Sequence, residues 1–311
     1  MAKMKMIIDC DTGVDDALAI TYILANPDIE LLGVTTTFGN VSVELATKNS
    51  LLITELFERE EVRICPGASH SWLSDRFIQH SVPNVHGYNG IGDVDLGEPK
   101  RKADESSAID FILDSARKYG KDLHLVFVGP LVNLAECIKK DEAALKEVGR
   151  ITIMGGALTI QGNRDIYSEA NIAEDPAAAK FVFASSLHLD IVPLDATLKT
   201  MFKVSDIRNW KDINFKGESI YGIARYYYMN EYEDENIGGA MHDPLAAFAS
   251  YDPSIITDWF SCNLTVEETG RTIASFEELN LPVKRHRVAL DVDMERFTKE
   301  YIRLVTDLIE K

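Results

Sequence analysis

The sequence predicts an α/β fold, built as a single domain over residues 1–311. It would have a mostly parallel central sheet flanked by helices and a small antiparallel element towards the C-terminus. Three observations predict it. Short apolar runs rich in β-branched residues alternate with stretches of helical spacing, the rhythm of strand–helix–strand units with right-handed crossovers. Most of those runs stop at glycine, proline or a polar residue, so the strand ends present polar groups to one edge of the sheet. No internal repeat, low-complexity tract or clear linker divides the 311 residues.

The apolar run Met4 to Ile8 opens the sheet and ends in Asp9 and Asp11. Thr12 and Gly13 turn the chain, and Asp15 and Asp16 lead into the helix-forming Ala17–Leu18–Ala19–Ile20. Residues 29–37 read as a second strand, Phe38–Gly39–Asn40 as a turn, residues 42–57 as a helix, and Val62 to Cys65 as a third strand. Residues 68–103 have no period and hold His86–Gly87–Tyr88–Asn89–Gly90–Ile91–Gly92; a loop this long with histidine and aromatics reads as a functional lid. A helix over 104–119, a strand from Leu123 to Val128, a helix from Leu131 to Ile138 and a strand from Ile151 to Met154 follow. Asn163, Glu169 and Asn171 lie in the next polar stretch, ahead of a helix starting at Asp175 or Pro176. Leu189 to Pro193 is the sixth strand. Residues 205–235 read as helical, with Tyr221, Tyr228 and Tyr232 able to share a face, as core or as a stacking wall for a planar ring. His242–Asp243 precede a helix, residues 260–269 and 283–292 read as an antiparallel pair, and residues 294–310 as a closing helix.

The chemistry concentrates at residues 7–19, IIDCDTGVDDALA, where a strand hands over to a helix. Acidic residues are common in a helix's first turn, so Asp15 and Asp16 alone carry little weight. Asp9 and Asp11 at the carboxyl end of an apolar, buried strand change the balance, because unpartnered buried carboxylates are costly. A helix N-terminus offsets part of the repulsion. The rest calls for a cation or raised pKa values, and all-oxygen ligands favour Ca²⁺ or Mg²⁺ over zinc.

A net charge of −18, from 32 basic and 50 acidic residues, argues against nucleic acid or an anionic membrane as partner. Nucleic-acid building blocks remain open as substrates. The four scattered cysteines form no CxxC, which argues against zinc, iron–sulfur and disulfide frameworks. Without an apolar run of signal or membrane-span length, the chain reads as a soluble, reduced, cytoplasmic protein.

DCDTGVDDALA, TTTFGNVSVELATKN, VHGYNGIG, VGPLVNLA, EANIAEDPAAA and MHDPLAAF, in this order, resemble the inosine–uridine preferring nucleoside N-ribohydrolases. The resemblance implies a Rossmann-like core, Ca²⁺-dependent cleavage of the N-glycosidic bond of ribonucleosides, and a homodimer or homotetramer. It implies one Ca²⁺ held by Asp11, Asp16, Asp243 and the main-chain carbonyl of Val128, with Asp15 on the ribose hydroxyls and the metal. Asn40, Met154, Asn163, Glu169 and Asn171 would complete the ribose site, with Asp9 as an orienter. Asp11 would be the general base, and His242 the leading candidate for the leaving-group acid, with His86 second. Tyr228 is the expected stacking residue for the base; purine or pyrimidine preference stays open.

Two rivals have distinct signatures. Asp9–Cys10–Asp11–Thr12 imitates the DxDxT motif of haloacid-dehalogenase-like phosphatases, with Asp9 as nucleophile and Mg²⁺ as cofactor, but leaves Asp15, Asp16, Asn171 and His242–Asp243 without roles. A non-catalytic Ca²⁺- or nucleoside-binding sensor would keep the pocket without turnover. The residues for turnover are all present.

Overall fold

The computed structural model describes residues 3–80, 83–231, 236, 238–274 and 285–311. Among the described residues, eight strands form one sheet in the order β3-β2-β1-β4-β5-β6-β10-β7. These are β1 (Met4–Cys10), β2 (Ile29–Thr36), β3 (Arg63–Pro66), β4 (Leu123–Phe127), β5 (Arg150–Met154), β6 (Leu189–Val192), β7 (Ile256–Cys262) and β10 (His286–Val292). Neighbours pair in parallel except β10 with β7. The chain builds outwards from β1 through β2 to β3, then returns to the other side of β1 with β4. The order therefore reverses between β1 and β4, and that crevice at the strands' carboxyl ends is the ligand-binding position of open α/β sheets.

The alternation of strand residues divides the core. Met6, Ile8 and Cys10 face one layer, with α1 (Val14–Ala25), α9 (Phe215–Glu231), α10 (His242–Tyr251) and the last helix, α11 (Met294–Ile309). Ile7, Leu125 and Phe127 face the other, with α4 (Ala108–Tyr119), α5 (Val132–Lys146) and α7 (Pro176–Ala184). Every residue of α1 is buried. It lies between the sheet and the outer helices, packed on α10 and α11. That explains why its sequence is apolar all round instead of striped. Ser42 caps α2 (Val43–Leu56) through the Leu45 N–H, and Ser107 caps α4 through the Asp110 N–H.

Three expected elements differ. Residues 104–107 stay outside α4, because Asp104 is held by Arg63 at 2.7 Å and accepts the Ser106 N–H. The stretch 205–235 is two elements, a 3₁₀ run Val204–Asp212 and α9. Asn214 breaks them by accepting the Gly217 N–H at 3.0 Å, as a capping residue does. Tyr232 lies outside the described residues. The strand paired with β10 is Ile256–Cys262, and β8 (Thr265–Val266) leaves the sheet to pair with β9 (Thr272–Ile273). Residues 275–284 lie outside the described residues. Among the described residues, no helix is long and apolar enough to cross a membrane.

Candidate active site

A cavity of about 510 Å³ opens at the β1/β4 crevice. Its walls include Asp11, Asp15, Asn40, His86, Val128, Met154, Asn163, Glu169, Asn171, His242 and Asp243. These residues come from segments more than two hundred positions apart, and strand ends and helix starts bring them together.

Asp11 follows β1 directly. Its Oδ2 accepts the Asn40 N–H at 2.5 Å, and its buried Oδ1 has no hydrogen-bond partner among the described residues. Asp15 and Asp16 start α1, and Asp243 is the second residue of α10. Ligand oxygens of Asp15, Asp16 and Asp243 all lie within 4.8 Å of one another, and all three residues are buried. Asp16 Oδ1 accepts the Asp11 N–H at 3.2 Å; its Oδ2 accepts the Gly13 N–H at 2.7 Å and the Asn40 side-chain amide at 3.2 Å. The Asp15 Oδ1 has no hydrogen-bond partner among the described residues.

Burial first, and then neighbouring carboxylates, push this cluster up. Asp11 and Asp15 rise to about 7, and Asp16 and Asp243 stand well above the ordinary carboxylate range. Among the described residues, no lysine or arginine is hydrogen-bonded or ion-paired to any of the four. Buried oxygens without partners, converging carboxylates and an all-oxygen donor set fit a hard divalent cation. The Val128 carbonyl already accepts Asn171 Nδ2 at 2.7 Å, and a carbonyl's second lone pair leaves room for one more contact.

Glu169 is the N-cap of α6 (Ala170–Glu174) and accepts N–H groups from Asn171, Ile172 and Gly156. Asn171 donates to Val128 and Met154, which leaves its Oδ1 for the cavity. The Asn163 Oδ1 accepts the Ala170 N–H at 2.9 Å. His86 ends the short helix α3 (Pro83–His86), and its Nδ1 accepts the Val14 N–H at 3.1 Å. Burial lowers both His86 and His242 to about 4, so both rings are neutral at pH 7.

Gly39 is required by closeness. Its φ is +155°, and a Cβ there would sit 2.0 Å from Asp11 Oδ2. Gly39→Ala is expected to displace Asp11 and lower kcat/KM on the order of a hundredfold while the fold survives. Steady-state kinetics beside a circular-dichroism melt check this; a fully active variant would mean that Asp11's position is not critical.

One position differs from expectation. Tyr228 is buried against Phe202, 5.3 Å between ring centroids, and it is Tyr227 that lines the cavity. Helical spacing counts which residues share a face but not which face turns to the cavity. Asp9, expected as an orienter and not as a wall residue, does not line the cavity. Its Oδ2 accepts Thr35 at 2.5 Å and Asn133 at 2.8 Å, and it rises to about 7, mainly through burial. A buried Asp9 held this way is no exposed phosphatase nucleophile.

Wall residues that sequence reading missed include His80, Arg164, Glu174, Leu198 and Met201. His80 Nδ1 lies 3.0 Å from Glu174, and Arg164 donates to the His80 carbonyl at 3.0 Å. Leu198 and Met201 are 46% and 43% exposed, apolar side chains left uncovered beside a cavity. No spacing rule marks them, because they sit in an irregular connection.

The family model described as inosine-uridine preferring nucleoside hydrolase matches residues 6–299. Uridine nucleosidase 1 of Arabidopsis thaliana is 37% identical over 257 residues, covering 81% of this chain and 75% of that protein. The pyrimidine-specific ribonucleoside hydrolase RihA of Salmonella typhi is 29% identical over 301 residues, covering 94% and 96%. A solved structure, the purine-preferring ribonucleoside hydrolase of Gardnerella vaginalis, superposes with a TM-score of 0.93 at 41% identity, covering 98% of this chain and 99% of that one. With its carboxylate cluster at the switch point of the sheet, the chain belongs to the inosine-uridine preferring nucleoside hydrolases, enzymes that split ribonucleosides into free base and ribose.

Proposed function

We propose that this enzyme is a Ca²⁺-dependent nucleosidase whose ion is held by Asp11, Asp15, Asp16, Asp243 and the Val128 carbonyl. The observation that carries the reading is the convergence of three buried carboxylates, with no lysine or arginine paired to them among the described residues, beside partnerless Asp11 Oδ1. When bound, the ion supplies positive charge that neutralises the cluster and organises the ribose hydroxyls and a water.

The protein residues do the rest. Asn40, Asn163, Glu169 and Asn171, with Met154, hold the ribose, and their oxygens stabilise the positive charge that develops on the sugar more than they stabilise neutral substrate. Asp11 takes a proton from the attacking water at its free Oδ1. His242 and His86 face the leaving base as neutral imidazoles, and Tyr227 flanks it with its ring. A neutral imidazole helps departure by donating a hydrogen bond, without transferring a full proton.

The cavity volume accommodates a purine or pyrimidine nucleoside, and the named relatives divide between the two. Ribose release from inosine, adenosine, guanosine, uridine, cytidine and xanthosine, with and without chelator, tests the reading. Release abolished by chelator and restored by Ca²⁺ supports it; release indifferent to chelator overturns the metal assignment. Binding of a nucleoside without ribose release would favour the sensor.

His242→Ala is expected to slow natural nucleosides by about 10² or more, and p-nitrophenyl riboside by far less, because p-nitrophenolate leaves unaided. Equal losses on both would remove the leaving-group role. We further propose that residues 1–311 act as one domain in a cytoplasmic homodimer or homotetramer. Four buried cysteines, none in a disulfide among the described residues, suit a reducing compartment, and light scattering of the purified protein tests the assembly.

A further inference from the structure

His242 does not stand alone. Its Nδ1 lies 2.7 Å from the hydroxyl of Thr197, which is itself fully buried at the end of the short helix α8 (Leu194–Thr197). Three residues on, Thr200 donates its hydroxyl to the Thr197 carbonyl at 2.6 Å and accepts the Met241 N–H at 2.8 Å. The 197–200 turn is thereby fastened to the residue preceding His242. Among the described residues, the Thr197 hydroxyl has His242 as its one hydrogen-bond partner. A buried hydroxyl keeps its proton in a hydrogen bond, so Thr197 donates and Nδ1 accepts. With Nδ1 accepting, the ring's hydrogen sits on Nε2, which has no hydrogen-bond partner among the described residues and belongs to a ring on the cavity wall.

We infer that Thr197 is a positioning residue that locks His242 in the Nε2–H tautomer and aims that N–H at the departing base. This rests on the nucleosidase reading. In the step concerned, the N-glycosidic bond breaks with its electron pair going to the base. Nε2–H donates a hydrogen bond to an accepting atom of that base, and the base takes its final proton from water. Without the Thr197 hydroxyl the ring can rotate or place its hydrogen on Nδ1, and Nε2 then meets the leaving base as a second acceptor.

The test compares Thr197→Val, which keeps the shape without the hydroxyl, with Thr197→Ser, which keeps the hydroxyl. The expected result for Thr197→Val is a fall in kcat on the best natural nucleoside of about tenfold, the effect of losing one ordinary hydrogen bond. KM should stay within about twofold and p-nitrophenyl riboside should be unaffected, because its leaving group needs no donor. Thr197→Ser should restore the nucleoside rate, and Thr197→Val added to His242→Ala should cost nothing more. Equal loss on both substrates, or no loss on either, overturns the proposal.

Nitrogen-15 spectra of the histidine rings give a readout independent of turnover. The wild-type protein should show His242 protonated at Nε2, and protonation at Nδ1 overturns the assignment even if the valine variant fails to fold. Failure of the nucleosidase reading is recognised separately, as a wild-type enzyme inactive on both nucleosides and p-nitrophenyl riboside.

Discussion

Replacing Asp11 with alanine should lower kcat on the best nucleoside by about 10³, within the range a positioned general base supplies, while leaving the protein folded. The two halves of this expectation have separate causes. The rate should fall because Asp11 Oδ1, without a hydrogen-bond partner among the described residues, is the proposed proton acceptor. The fold survives because Asp11 is itself a burden: burial raises it to about 7, so its ionised form is disfavoured in the folded chain. What alanine removes from the structure is one acceptor for the Asn40 N–H. Thermal melting in chelator should therefore place Asp11→Ala at or above the wild type. A folded variant with near-normal kcat would refute the base assignment. An unfolded one would refute the account of Asp11 as a destabilising group.

The second large effect concerns the cation and pH. A carboxyl raised to about 7 in the folded chain, against an unfolded value near 4, holds its proton in the folded state where the unfolded chain has released it. Stability from Asp11 and Asp15 is thus highest at or below about pH 4, and is lost as the pH rises to about 7. A bound cation competes with those protons, so it should stabilise more at pH 8 than at pH 5.5. At a hundredfold excess over Kd the gain is about 2.7 kcal/mol, roughly 5 °C for a chain of this size.

The readout is the difference between melts with Ca²⁺ and with chelator at each pH, because other groups shift the absolute values. His86 and His242, lowered to about 4, act in the opposite direction: they add stability as the pH rises from about 4 towards 6.5. Asp104, held down chiefly by its hydrogen bond from Arg63, contributes stability above its unfolded pKa that is lost only in more acid solution, outside the window compared. A Ca²⁺-induced shift equal at both pH values, or absent, would show that the carboxylates do not hold the ion.

The sequence by itself marked strands β1 to β6 and most of the residues proposed for the site. Apolar β-branched runs and their polar stops are local signals, and β1 to β6 follow them closely. Asp11, Asp15, Asp16 and His242–Asp243 were legible for the same reason: each stands at a strand end or helix start that local pattern marks. Tertiary structure alone decided what local pattern cannot encode. Helical spacing grouped the tyrosines of α9, but only packing against Phe202 turned Tyr228 inwards and left Tyr227 on the cavity. The partner of β10 depended on a register set across the sheet, which alternation in either strand does not specify. The hydroxyl of Thr197 reaches His242 across 45 residues, a contact made because α8 and α10 meet beside the sheet. Periodicity reports which face of an element is apolar; which neighbour that face meets is settled by the packing of all the elements together.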